Sequence, residues 1–149
     1  MKILVILSLL LSCSLSNAQS SSSEILRRAE VMPVFKNCEN ERYSNSPYSC
    51  TINQLSDHIN RSVVIENPIG MITKCLVSLV VEKDGTVSDV KLPRGVVINI
   101  DDAQQKQLLE KKLDTKIFDV LEKLNFLMPG YHNGEKARVM LQFSASINY

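Results

Sequence analysis

The chain has 149 residues, with 17 Lys and Arg against 16 Asp and Glu and a net charge of +1. That length suits one domain better than two, and charges mixed in sign along the chain give no electrostatic footing for nucleic acid or for an anionic membrane surface. Trp is absent and aromatic content is 5%, so the core has to come mainly from Leu, Ile and Val, and it will be a modest one.

Lys2 precedes an apolar run at residues 3–11 that only Ser8 interrupts. As a helix this run reaches about 14 Å at ~1.5 Å per residue, against roughly 30 Å for a bilayer core. Ser16 and Ala18 occupy the small-residue positions for signal-peptidase cleavage after Ala18. Residues 1–18 are therefore expected to be a cleaved signal peptide that delivers the chain to the periplasm. The alternative is lipidation: Leu10-Leu11-Ser12-Cys13 has the form of a lipobox, in which Cys13 would tether the chain to a cell-envelope membrane. A short retained anchor is a third reading.

Residues 19–23 read as a Ser-rich linker. Residues 24–31 predict one or two helical turns, and Met32-Pro33-Val34-Phe35 an extended segment, because the residue before Pro avoids the α region. A polar, Cys-bounded loop follows at 36–50. An oxidising compartment permits disulfides, and Cys38 with Cys50 can close this loop, for about 3 kcal/mol in the chain-entropy picture. Cys75, in an apolar run, is expected to be a buried free thiol. Zinc is the competing use of these cysteines, but neither CxxC nor HxxxH spacing exists. Thr51 can cap a helix in which Ile52, Leu55, Ile59 and Val63 recur at near-helical spacing. Asn67-Pro68-Ile69-Gly70 breaks it and divides an N-terminal segment, 19–69, from a C-terminal domain, 70–149.

Residues 71–81 are rich in β-branched and apolar types and predict a strand. Glu82-Lys83-Asp84-Gly85 is a hairpin turn signal, and residues 86–92 return as a second strand whose alternation falters at Ser88-Asp89, as at a bulge. Pro93 and Gly95 end it, and a short apolar run occupies 96–100. Asp101 or Asp102 can cap a polar helix to about residue 112. Asp114 is a better cap, for a helix carrying Ile117, Val120, Leu121 and Leu124 on one face. Pro129-Gly130 and Asn133-Gly134 predict turns. Residues 137–147 alternate strictly, Val139, Leu141, Phe143, Ala145 and Ile147 against Arg138, Met140, Gln142, Ser144 and Ser146, which predicts a half-buried strand. The fold class is therefore α+β: a three-stranded antiparallel sheet in β-β-α-β order, a helix on one face, and an additional N-terminal helical segment.

Residues 77–91, with Arg94-Gly95-Val96 after them, closely resemble the first hairpin of TonB C-terminal domains, most of all the type common in Bacteroidetes. Leu113-Asp114 is similar to the start of that family's helix, and Pro129-Gly130 with Asn133-Gly134 to the turns before its last strand. Met32-Pro33-Val34-Phe35 with Cys38 looks like the segment preceding the domain. The likeness spans about 70–147, with a weaker extension back to about 31. It implies a module that takes an extended peptide from an outer-membrane transporter onto its sheet edge. The chain departs from the family in having no convincing transmembrane anchor and no Pro-rich spacer, in Leu127 where Trp is usual, in Ser62-Val63 where Tyr-Pro is usual, and in an apparent insertion at 98–112.

The expected function is accordingly a TonB-like periplasmic protein-binding module, accessory to transport, that docks a partner strand without its own motor coupling. The strand 137–147 is the candidate edge, with Arg138, Met140, Gln142 and Ser144 flanking the partner, which is either a transporter's N-terminal peptide or a second copy of the chain. The alternative is a domain repurposed as an envelope scaffold that binds no transporter peptide. No catalytic residue, cofactor, metal, nucleic acid or small-molecule substrate is expected. His58, on a helix, and His132, in a turn, lack partners for a triad or a metal site. Asp84 belongs to its turn, and Asp89 reads as solvated.

Overall fold

A computed structural model describes residues 24–39, 47–66 and 72–149. The expected cleavage after Ala18, the alternative lipidation at Cys13, the linker at 19–23 and the breaker at 67–70 lie outside the described residues. The elements are β1 (Ile25–Leu26), α1 (Pro47–Ser62), β2 (Ile72–Val81), β3 (Val87–Lys91), α2 (Ala103–Leu121), β4 (Gly130–His132) and β5 (Glu135–Asn148).

β2 and β5 form the longest ladder, antiparallel from Ile72↔Asn148 to Val81↔Val139 without a slip. Their odd-numbered residues share one face because side chains alternate along a strand. On that face Val77, Leu79 and Val81 of β2 and Val139, Leu141 and Ile147 of β5 are buried to 0%. Leu55 and Ile59 of α1 and Leu113, Ile117 and Leu121 of α2 close over them in the same core. Each such side chain contributes roughly 1.5–3 kcal/mol on burial. Both helices are held by this shared surface, since exposed polar residues make up much of the rest of each.

The sheet corrects the expectation. It is five-stranded and mixed, in the order β1-β5-β2-β3 with β4 on β5, and β1 runs parallel to β5. The residues expected as N-terminal helical turns are extended: Ile25 and Leu26 pair with Arg138 and Val139. Further on, Val31 bridges Tyr131 and Val34 bridges Met128. The segment satisfies its backbone on the sheet instead of internally, which a helix of one or two turns does poorly. For the same reason Pro129-Gly130 is not a turn, because residues 128–131 are drawn out straight between β5 and 31–34. Gly130 is needed there, since a Cβ would stand 2.4 Å from Cγ2 of Val139.

The core does not divide at residue 69: Ala29, Phe35, Leu55 and Val63 belong to the same cluster as the sheet. Helix α1 starts at Pro47, where a missing N–H costs nothing, four residues before the expected cap. Thr51 instead lies fully buried inside it, its hydroxyl accepting the Phe35 N–H at 3.1 Å and facing the Pro33 carbonyl. Cys38 and Cys50 stand at disulfide distance, Cα to Cα 5.7 Å, and Cys75 is a buried free thiol. Burial pushes that thiol up to about 11.

The two helices expected around residue 112 are one, α2, capped by Asp102, whose carboxylate accepts from the N–H groups of Gln104 and Gln105. Asp114, expected as a cap, sits inside α2 and accepts the Val96 N–H at 2.8 Å, and Glu110 accepts that of Ile98 at 3.1 Å. These carboxylates fix the extended run 96–100 along the helix. The hairpins match their turn chemistry. Gly85 has φ 88, and Asn133-Gly134 has φ 52 and 77. Ser78 pairs with Lys91 but Val80 with Ser88, so β3 carries the expected bulge, with Asp89 at φ 48.

Two substitutions probe this packing. Replacing Cys38 and Cys50 together by Ser is expected to lower unfolding free energy by about 3 kcal/mol in urea melts. Gly130→Ala should destabilise by about 1–3 kcal/mol, because the stiff Val139 side chain cannot rotate away cheaply.

Candidate functional site

Within a strand, the N–H and C=O of one residue point to one side and those of the next to the other. The Glu82 N–H donates to the Thr86 carbonyl at 2.8 Å, across the β2–β3 hairpin. Even-numbered residues of β2 therefore face β3, and the odd ones face β5. By the register, odd-numbered residues of β5 face β2 and even-numbered ones face outward. A second contact agrees: the Asn148 N–H turns away from β2 to Oδ1 of Asn60 in α1, at 3.2 Å.

The outer side of β5 is covered at one end only. β1 occupies it at Arg138 and Val139. Beyond Val139, no described strand lies on that side. The parallel pairing of Leu26 with Val139 takes the Met140 N–H onto the Leu26 carbonyl, so it is Gln142, Ser144 and Ser146 that direct their backbone groups to an edge without a neighbouring strand among the described residues. Met140 and Ser146 are half-buried, and Gln142 and Ser144 exposed. Their side chains lie on the face of the sheet opposite the helices.

Of the four residues expected to flank a partner, Gln142 and Ser144 share this edge, and Met140 stands at its border with its N–H taken by β1. Arg138 does not share it: its level is taken by β1, and its guanidinium grips Glu82 through Nε to Oε2 at 2.7 Å and Nη2 to Oε1 at 2.8 Å. Ser88 donates a third hydrogen bond to the same carboxylate. This clasp ties β5, β2 and β3 together on the outer face, where Val80 is fully buried. Hydrogen bonds from Arg138 lead in holding the Glu82 carboxyl below its usual range, with Ser88 adding to them against the opposing effect of burial. Ser146 was not among the four, although its place in the strict alternation marks it as their equivalent. The clasp could not be read without the register that sets Glu82 across from Arg138.

The histidines make only local contacts, and Nδ1 of His132 is buried without a hydrogen-bond partner among the described residues. His132 lies 3.9 Å from the Glu30 carboxylate, which also accepts the Asn133 N–H. His58 packs its ring 6.0 Å from that of Phe35. Asp84 accepts from both the N–H and the hydroxyl of Thr86, and Asp89 pairs with Lys91 at 2.9 Å. Among the described residues no three His, Cys, Asp or Glu side chains are grouped to hold a metal. None of their helices is long and apolar enough to cross a membrane.

Comparison with known proteins finds no matching family model, no matching curated protein and no matching solved structure.

The clasp has a pH signature. A carboxyl whose folded pKa is depressed contributes stability above its unfolded value, near 4.5, and loses it as pH falls through the folded one. The stability difference between the wild type and Glu82→Gln should therefore be largest near neutrality and shrink below about pH 4.5, as read by urea melts at stepped pH.

Proposed function

We propose that this chain is a TonB-like protein-binding module that docks an extended partner strand on the outer edge of β5. The observation that carries the reading is the row of outward backbone groups at Gln142, Ser144 and Ser146, on a strand whose other side is fully paired. A strand edge of this kind is a template for a further strand: main-chain hydrogen bonds provide affinity, and alternate side chains provide selectivity. Residues 142–146 would accept about 17 Å of partner at ~3.3 Å per residue.

The ordered resemblance to TonB C-terminal domains supports an extended N-terminal peptide of an outer-membrane transporter as the partner class and the periplasm as the compartment. The polar row of Gln142, Ser144 and Ser146 keeps the edge soluble while unoccupied. In this reading the chain supplies docking and not force. An envelope scaffold that binds no such peptide is the alternative outcome.

The test is an NMR titration with a transporter plug peptide. Amide shifts should concentrate at Gln142, Ser144 and Ser146. Ser144→Pro removes an outward N–H and leaves the β2–β5 ladder intact, so it should fold normally and bind at least about tenfold more weakly. Shifts at these amides that depend on protein concentration without peptide would assign the edge to a second copy. No shift under either condition would refute strand docking.

A further inference from the structure

A second feature, separate from the strand edge, lies where α1, the turn after Phe35 and the loop after α2 meet. They enclose a cleft of about 300 Å³ lined by Phe35, Lys36, Asn37, Gln54, His58, Arg61, Lys123, Leu124 and Asn125. Three cationic side chains, Lys36, Arg61 and Lys123, reach it from three separate parts of the chain. None has a carboxylate partner within salt-bridge distance among the described residues, and none of the described residues lining the cleft is acidic.

Two local supports set the backbone that carries Lys36 and the Nε end of Arg61, while the side chains of all three cations are exposed. The turn that carries Lys36 and Asn37 is closed by a hydrogen bond from the Cys38 N–H to the Phe35 carbonyl, and Cys38 is joined to Cys50 in α1. Asn37 holds a left-handed conformation there, φ 66. Beneath the turn, Phe35 packs edge-on against Phe126 at 5.4 Å. Arg61 is anchored through Nε to the Asp57 carbonyl at 3.2 Å, which leaves its terminal nitrogens without a protein partner among the described residues.

Unneutralised cations held together by a fold repel one another, and an anion relieves that repulsion. We propose that this cleft binds a phosphate-type oxyanion, either free or as a lipid headgroup, with Lys36, Arg61 and Lys123 supplying charge. The amides of Asn37, Gln54 and Asn125 provide neutral donors for the remaining oxygens. Convergent donors in a compact cleft suit the three oxygens of a phosphate, which an extended acidic peptide would not fill. His58 reports the same field: burial first, then Arg61 and Lys36, hold its pKa below the ordinary value. A bound anion favours the charged imidazole and moves that pKa back up.

The experiment titrates the whole chain with inorganic pyrophosphate, following the His58 ring signals by NMR across pH. Saturable binding is expected, with an upward move of the His58 midpoint. Lys36→Ser with Lys123→Ser should weaken binding about tenfold or more. Lys111→Ser with Lys112→Ser removes the same charge from α2 and should leave binding unchanged. A vesicle arm separates the sources: sedimentation with phosphatidylglycerol but not phosphatidylcholine vesicles, lost in the Lys36/Lys123 variant, assigns a headgroup. Pyrophosphate binding without sedimentation assigns a free oxyanion. No saturable binding to either probe, or equal losses in the two double variants, would overturn the proposal.

Discussion

The β2–β5 ladder is the constraint on which the rest of this structure depends. Its register runs unbroken over ten pairs, from Ile72↔Asn148 to Val81↔Val139. One parity follows for both strands. Odd residues put side chains under the helices, and in β5 they spend their backbone groups on β2. Even residues put side chains on the opposite face, and in β5 they turn their backbone groups outward. A slip of one residue would carry Val139, Leu141, Phe143, Ala145 and Ile147 to solvent together. The buried face therefore dictates the free edge, and the row at 142–146 is a consequence of how the core is filled.

The N-terminal residues complete this arrangement. β1 closes the outer edge of β5 at Arg138 and Val139 and then leaves it. The chain goes on to run beside 128–131 and is secured to α1 by Cys38–Cys50 and by Thr51. One end of the β5 edge is thus capped by the chain itself, which limits where a partner can start. The same crossing brings Lys36 beside Arg61, so one local path shapes both the strand edge and the basic cleft.

What the sequence made legible depended on local repetition. The strict alternation of 137–147, the Asp84-Gly85 and Asn133-Gly134 turns, the bulge near Asp89 and the buried thiol of Cys75 all follow from signals a few residues long. β1 did not, because two residues carry no period and their pairing is decided by Arg138 and Val139 more than a hundred positions away. Thr51 has the chemistry of a helix cap, but its hydroxyl serves Phe35. Asp114 has it too, but holds Val96 from inside α2. Pro129-Gly130 has turn composition, yet the paired strands on either side keep it straight. The mixed charge of the chain concealed the cleft, because Lys36, Arg61 and Lys123 are dispersed in sequence and gathered only by the fold.

Hydrogen–deuterium exchange along β5 in the free protein tests the central claim most directly. The account predicts an alternating record: Leu141, Phe143 and Ala145 amides strongly protected by β2, and Gln142, Ser144 and Ser146 amides exchanging orders of magnitude faster. Uniform protection from 141 to 146 would contradict it, because the outer edge would then already be occupied and unable to receive a partner.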